Sequence, residues 1–333
     1  MNWKKLTILL IAILAALLPV VIKSSYVIII MVQTIIYCTL ASAWNILSGY
    51  AGQFGFSGVF FGLGAYICGG LFGTFGLSPW IGAIIAGVVS AIIGLLMGFL
   101  TFPLRKTYFA LATLALLNIL QLLFTQNQVM FGINFRGNAG LHLPWVGGFW
   151  NMQFVDNRGY YYIVLIILVA TLLFTSRLVN SRPGFYFKAV NTNQLAASSL
   201  GVNVLKYKQY AQIITAFIMG VVGGIYVMFL SSIEPISMFS FGVVFNIMLF
   251  AFVGGRATIF GPAVGAAILM PVYYLLRLWL STSLPGLPTA LFGLILLLST
   301  QFMPQGLLPL ISEKIRDRKI KEAASSAVSE RGE

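Results

Sequence analysis

The long apolar stretches of this sequence contain no ionisable side chain. Of 333 residues, 59% are hydrophobic and only 8% are charged, whereas about 25% of the residues in soluble domains are charged. Between Leu6 and Met303, every Asp, Glu, His, Lys and Arg lies between apolar stretches. Carriers driven by protons normally keep carboxylates or histidines inside the membrane as relays. The absence of such groups indicates that the energy for transport comes from outside this chain.

Cysteine and histidine are also scarce, with two Cys and one His in the whole sequence. Cys38 and Cys68 lie inside apolar stretches without paired or metal-like spacing, so we expect them to act as small apolar residues. His142 lies in a hydrophilic segment, where we expect a surface residue. The sequence has no Gly-x-x-x-x-Gly-Lys-Ser/Thr phosphate loop and no nucleophile–base–acid set. We therefore expect no metal site, no cofactor in this chain and no enzymatic activity of its own.

Ten apolar stretches have the character of membrane spans, since about 20 apolar residues cross a bilayer core of about 30 Å. They are Leu6–Ile22, Tyr26–Leu47, Gly52–Phe72, Trp80–Phe102, Tyr108–Thr125, Tyr160–Thr175, Gln209–Leu230, Phe241–Gly254, Gly261–Leu276 and Leu284–Phe302. The first resembles a signal peptide, but it lacks a clear small-x-small cleavage site, so we expect it to be retained. The sequence predicts an all-α polytopic membrane protein with about ten transmembrane helices.

The basic residues predict the orientation of these helices. With the N-terminus inside, 16 of the 20 Lys and Arg residues lie on the cytoplasmic side, and only Lys23, Arg136, Arg158 and Arg277 lie outside. This asymmetry is the positive-inside distribution, and it places both termini in the cytoplasm. The net charge of +13 is thus explained by the orientation of the helices in the membrane, and we expect no nucleic-acid partner.

The hydrophilic segments are too short to form a soluble catalytic domain. They are 131–159 outside, 176–208 inside and the tail from Ser312. We predict one transmembrane domain over residues 1–311. Residues 312–333 carry mixed charges and then Ala and Ser, so we expect a disordered cytoplasmic tail.

Two stretches are unusually rich in glycine for transmembrane helices, namely Asn45–Tyr66 and Val253–Ala266. One interpretation is a discontinuous helix, whose free backbone groups are tolerated in lipid only beside protein or a wet cavity. The other is close packing of helices through small residues. Both interpretations remain open from the sequence.

The cytoplasmic segment 181–208 carries a short predicted helix. Asn193 is a suitable N-cap, Leu195 and Leu200 are among its apolar positions, and Gly201 can end it as a residue with positive φ. Such a helix could fit a groove on a partner protein, or it could lie on the lipid surface. The spacing alone does not separate these alternatives.

Several motifs in this chain resemble those of one family. They are Gly49-Tyr-Ala-Gly52, Phe61-Gly-Leu-Gly-Ala-Tyr66, Thr107–Ala115, Arg182-Pro-Gly184, Ala196-Ala-Ser-Ser-Leu-Gly201, Gly201–Lys208 and the glycines from Gly254 to Gly265. Each motif is weak alone, but together they run in order from about Ala41 to Gly306. The chain resembles the M-type permease subunits of ABC importers for branched-chain amino acids.

The resemblance implies a heteromeric importer in a prokaryotic inner membrane. Its partners would be an H-type permease, two cytoplasmic ATPases that hold ATP and Mg, and an extracytoplasmic solute-binding protein. The coupling loop, at about 181–208, would contact the ATPase through Arg182, Pro183, Gly184, Asn193, Leu195, Ala196, Ala197 and Gly201. The translocation path would be lined by Asn45, Gly49, Gly52, Gln53, Ser57, Asn118, Gln121, Asn246, Gly254 and Gly261. The binding protein would dock at the outer acids Asp156 and Glu234.

The chain departs from the family pattern at two places. The coupling loop usually has acidic residues beside its Ala-Ala pair, but this chain has Asn191, Asn193, Gln194 and Ser198 there. A Ser-Leu-Gly-His type of stretch is replaced by Gln53-Phe-Gly-Phe-Ser-Gly58, which leaves the solute open between hydrophobic amino acids and urea or short amides. A sodium-coupled carrier or a passive channel is the alternative from a different class, because carbonyls and hydroxyls could hold sodium.

Overall fold

The computed structural model describes residues 18–20, 22, 24–103, 106–280, 287–302 and 306–310. Most of the predicted first span, the whole predicted tail 312–333 and the start of the tenth span lie outside the described residues.

Helices make up most of the described chain. The long ones are α1 (Ser25–Asn45), α2 (Val59–Phe75), α3 (Pro79–Thr101), α4 (Lys106–Gln126), α5 (Arg158–Val179), α8 (Val204–Leu230), α10 (Phe241–Gly254), α11 (Gly261–Leu280) and α12 (Leu287–Phe302). The short ones are α6 (Arg182–Thr192), α7 (Gln194–Ser199) and α9 (Pro235–Met238). A π-helical turn, Ile46–Tyr50, continues α1.

Seven helical stretches in the described part of the chain are long and apolar enough to cross a membrane, and α2 is a shorter apolar helix of 17 residues. This confirms an all-α polytopic membrane protein. The third predicted span differs in its boundary, because we expected it to begin at Gly52 whereas α2 begins at Val59. Gly52 has φ +68°, which ends the π-helical turn and starts a non-helical segment before α2.

The centre of the bundle is α8, which packs against α2 on one side and α3 on the other. Small residues allow this approach: a Cβ atom on Gly64 of α2 would lie 2.5 Å from the Cα atom of Gly220 on α8. In the same way, a Cβ atom on Gly224 would lie 2.9 Å from the Cα atom of Ala83 on α3. Around this core, α1 packs against α11, α5 and α10. Gly64 of α2 and Gly220 and Gly224 of α8 therefore serve close helix packing.

The loops between α4 and α5 and between α8 and α10 form a small cap. Antiparallel strands β1 (Val129–Met130) and β2 (Ile133–Asn134) pair with each other, and β3 (Leu141–His142) pairs with β4 (Ser232–Ile233). The buried side chain of Gln153 holds the loop, since its Oε1 accepts from Val146 N at 2.7 Å and its Nε2 donates to Pro144 O at 2.8 Å. The β3–β4 pair joins the two outer loops that the sequence proposes for binding-protein docking.

Candidate functional site

The two glycine-rich stretches meet at the side chain of Asn45. This residue ends α1 and is only 1% exposed. Its Nδ2 donates to the carbonyl of Thr258 at 2.8 Å, and its Oδ1 accepts from the backbone N–H of Ala257 at 2.8 Å. Ala257 has φ +58°, a conformation that is uncommon for a residue with a side chain. Asn45 thus joins the end of α1 to the loop 255–260 between α10 and α11.

Gly49 lies inside this contact, in the π-helical turn. A Cβ atom at this position would meet the Oδ1 atom of Asn45 and would lie 2.8 Å from the backbone nitrogen of Ala257. Both partners are held by the hydrogen bonds just described, so they have little room to move. π-helical turns occur frequently at functional sites. The close approach therefore accounts for glycine at this position.

The segment after Gly52 is non-helical as far as α2, and protein groups hold its backbone. Trp44 Nε1 donates to the carbonyl of Gly55 at 2.9 Å, and Phe56 N donates to Thr113 Oγ1 of α4 at 2.9 Å. Ser48 Oγ donates to the carbonyl of Gln53 at 2.9 Å. The helix is therefore discontinuous at this stretch, and side chains satisfy part of the backbone that the break frees.

Three buried side chains near the bundle centre have polar atoms without a partner among the described residues. Gln53, Ser57 and Gln212 are each 0% exposed, and neither amide atom of the two glutamines, nor the Ser57 hydroxyl, is hydrogen-bonded. A buried unsatisfied polar group costs about 1–3 kcal/mol. Such groups are normally satisfied by buried water or by a ligand.

Gln212 was not among the residues proposed from the sequence. The sequence feature that could have identified it is the spacing of Gln209, Gln212 and Thr215. This spacing puts a polar residue at every third position along the apolar helix α8. Thr215 donates through its hydroxyl to the carbonyl of Ala43 on α1 at 3.1 Å. The polar side of α8 therefore faces the interior of the subunit.

The remaining path residues proposed from the sequence have different surroundings. Asn118 is exposed on α4, and its Nδ2 donates to Leu114 O in the same helix at 3.2 Å. Gln121 and Asn246 are half-buried. Gly254 is used for packing, because a Cβ atom there would meet the carbonyl of Gly261 at the start of α11. The structure therefore brings Asn45 and Gly49 to loop 255–260 and leaves Asn118 at the subunit surface.

Aromatic rings line one partly exposed side of the non-helical segment, which we call the open face and define by Phe54, Phe56, Phe241, Phe245 and Phe252. Ring centroids of Phe56 and Phe241 lie 5.5 Å apart, and those of Phe54 and Phe252 lie 6.1 Å apart. Phe54 and Phe241 are exposed on the isolated chain. Irregular backbone thus lies beside a surface that this chain leaves partly uncovered.

An apolar cavity lies elsewhere, between three of the long helices. It has a volume of about 370 Å³ and is formed between α3, α5 and α8. Thr171 is the single polar residue in its lining. Such a lining offers almost nothing to the charged groups of an amino acid, whereas it matches a hydrocarbon chain.

The helix predicted within residues 181–208 is α7. Asn193 Oδ1 accepts from Leu195 N at 3.0 Å and from Ala196 N at 3.1 Å, while Gly201 follows the helix with φ +82°. Ala197 is 3% exposed and faces the rest of the chain, whereas Leu195 and Leu200 are 82% and 85% exposed. The outward surface of α7 is therefore formed by its leucines and by the exposed Ala196.

The first part of this segment is α6, and only Asn180 and Ser181 separate it from α5. Arg182 is exposed at its first position, and Pro183 is half-buried beside it. Gly184 is buried, and a Cβ atom there would lie 2.5 Å from the carbonyl oxygen of Val179. The Arg-Pro-Gly motif therefore makes the tight connection between α5 and α6.

The two outer acids are placed on different loops. Asp156 pairs with Arg158 through a 3.3 Å contact between Oδ2 and Nε, and its Oδ1 accepts from Arg158 N at 3.1 Å. Glu234 is exposed and precedes α9. Within the described residues, no group of three or more His, Cys, Asp or Glu residues could hold a metal ion.

Comparisons with known proteins agree with this architecture. A model of the family described as "Branched-chain amino acid transport system / permease component" matches residues 26–300. The high-affinity branched-chain amino acid transport system permease protein LivM of Salmonella typhimurium is 27% identical over 305 residues, which cover 85% of this chain and 70% of that protein. LivM of Escherichia coli K12 shows the same identity and coverage.

A relative from an archaeon is also similar. The probable LivM permease of Methanocaldococcus jannaschii is 24% identical over 276 residues, covering 75% of this chain and 78% of that protein. No solved structure matches the chain. Because the family model covers well over half of the sequence, the chain belongs to the branched-chain amino acid transport permease family.

Proposed function

We propose that this chain is the M-type permease subunit of an ABC importer for branched-chain amino acids. Membership of the permease family is the observation that carries the proposal. The sequence supports it, because the apolar stretches contain no ionisable residue and the chain has no phosphate loop. Energy then comes from two cytoplasmic ATPases that bind ATP and Mg, and the solute is delivered by an extracytoplasmic binding protein.

The proposed arrangement has about ten spans in a prokaryotic inner membrane, with both termini in the cytoplasm. The distribution of basic residues supports this orientation. In it, α6, α7 and the loop 255–260 lie on the cytoplasmic side, and the β-strand cap lies outside. The exposed Leu195 of α7 and the exposed Leu200, which directly follows that helix, then face the ATPase.

The open face is where the H-type permease would pack. Phe54 is exposed, although it belongs to a non-helical segment. In a bilayer, irregular backbone is tolerated only where protein or a water-filled cavity covers it. A second permease subunit supplies that cover, and the path for the solute then runs between the two subunits along this face.

Uptake into proteoliposomes tests this proposal. We expect radiolabelled leucine, isoleucine and valine to accumulate only when both permeases, the ATPases, the binding protein and ATP are present. A control complex carries an ATPase whose phosphate-loop lysine is replaced, and it should not transport. Accumulation of leucine by the lone subunit under a sodium gradient would contradict the proposal and favour a secondary carrier. ATP-driven uptake of urea or amides instead of leucine would contradict the assigned solute.

A further inference from the structure

A series of side-chain hydrogen bonds connects the cytoplasmic helix α6 to both glycine-rich breaks. Asn191, near the end of α6, donates from Nδ2 to the carbonyl of Gly49 at 2.8 Å. Gly49 lies against Asn45, which is bonded to Ala257 and Thr258. Three segments that are distant in sequence are therefore joined by two asparagines.

The side chain of Asn191 is closely packed against the backbone at Gly52. A Cβ atom on Gly52 would meet the Oδ1 atom of Asn191 and would lie 3.0 Å from its Cα atom. The carbonyl of Gly49 belongs to the last turn of a helical segment, where carbonyls lack helical donors. The π-helical turn and the glycine after it thus close around the Asn191 side chain, and a shift of α6 must move them.

The helices α6 and α7 share one capping residue, Asn193, so we expect them to move together. Asn193 ends α6 through a 3.1 Å bond from its N–H to Ala189 O, and its side chain caps α7. Asn191 lies two residues before this shared cap. The next residue, Gln194, begins α7, and its Oε1 accepts from the buried Lys208 Nζ of α8 at 3.1 Å. Force applied to α7 therefore reaches Asn191 through one residue that belongs to both helices.

We propose that Asn191 and Asn45 are positioning residues that transmit movement of the coupling helix to the two backbone breaks. This inference rests on the proposed function, in which a partner ATPase moves α7. When α6 and α7 shift, Asn191 displaces the Gly49 carbonyl, and Asn45 carries that displacement to the loop 255–260. The breaks then change their arrangement while the apolar core of α2, α3 and α8 stays packed.

Two readouts in the assembled complex test the inference. The first is the amount of leucine transported per ATP hydrolysed. The second is the emission of an environment-sensitive dye at Arg256→Cys, recorded as ATP is added. Arg256 is exposed, whereas both native cysteines are buried, so labelling is selective. We expect Asn191→Ala to lower the transport ratio by roughly tenfold, as for loss of one hydrogen bond to a carbonyl. We also expect it to abolish the ATP-dependent dye signal.

Asn180→Ala is the matched control, because Asn180 is an exposed residue of the same cytoplasmic segment and donates only to Ser176 O at 2.8 Å in its own helix. It should behave as the wild type in both readouts. Asn191→Asp keeps the shape of the side chain but loses the hydrogen-bond donor. This variant replaces Asn191→Ala in both measurements if the alanine variant does not assemble, with the same expected result. Equal behaviour of the Asn191 and Asn180 variants in both readouts would overturn the inference. A wild-type complex that shows the dye signal without leucine transport would contradict the proposed function alone.

Discussion

Gly64→Ala should destabilise the protein strongly, although it adds a single methyl group. The new Cβ atom would meet the carbonyl of Gly220 and lie 2.5 Å from the Gly220 Cα atom, so α2 and α8 would have to separate. Both contacts are backbone atoms, which cannot rotate away as a side chain can. We expect a loss of about 3 kcal/mol or more in the free energy of unfolding, the upper end of the cost of overpacking.

Gly73→Ala on the same helix is the matched control. A Cβ atom there would have its nearest neighbour, Leu143 Cδ2, at 3.9 Å, an ordinary contact. Alanine also favours helix over glycine by up to about 1 kcal/mol, so this variant should be neutral or slightly stabilising. Thermal unfolding in detergent and the amount of protein in membranes are the measurements. Equal melting temperatures for Gly64→Ala and the wild type would show that α2 and α8 do not approach as described.

Gly49→Ala should abolish most transport while leaving the protein inserted. Its Cβ atom would push against Asn45 Oδ1 and against the Ala257 backbone nitrogen, 2.8 Å away. Relief requires breaking both Asn45 hydrogen bonds to the loop 255–260. Each broken bond corresponds to roughly a tenfold effect, so we expect about a hundredfold loss of ATP-driven leucine uptake.

The control for this second prediction is Gly242→Ala at the start of α10. A Cβ atom there would have Ser240 Oγ as its nearest neighbour at 4.0 Å. Uptake and melting temperature are measured for both variants in the same complex. Normal uptake by Gly49→Ala would show that the contact between the two breaks has no part in transport.

The membrane helices could be predicted from the sequence because a bilayer requires long apolar runs, and this chain places its charges between them. A helix break after Asn45 could be proposed from the glycines and polar residues between two such runs, but only as one of two open interpretations. Its partners could not, because the contact from Asn45 to Ala257 and Thr258 spans more than 200 residues and leaves no local periodicity. The same limit explains why Asn191 was noted only as a departure from the family pattern.

Glycine alone could not separate the two interpretations of the glycine-rich stretch, because both apply to it. Gly49 and Gly52 belong to the break, whereas Gly64 serves helix packing against α8. The spacing of residues also could not predict which side of α7 faces the rest of the chain. Ala197 belongs to the motif that carries the resemblance, but its side chain faces inward, while Leu195 is exposed. A six-residue helix is too short for its apolar pattern to define an outer side.

Under the proposed function, this permease provides a path without countercharges, and its partners supply both the energy and the selectivity. The apolar stretches contain no ionisable residue, so within the membrane-spanning part a zwitterionic amino acid would meet only dipoles. Sites of this kind hold a solute weakly enough for it to leave. Equilibrium binding of leucine to the purified permease–ATPase complex, without the binding protein, tests this most directly. We predict a Kd of about 1 mM or weaker, equivalent to at most about 4 kcal/mol of binding free energy. A micromolar Kd would contradict the account, because it would require a specific site within the path.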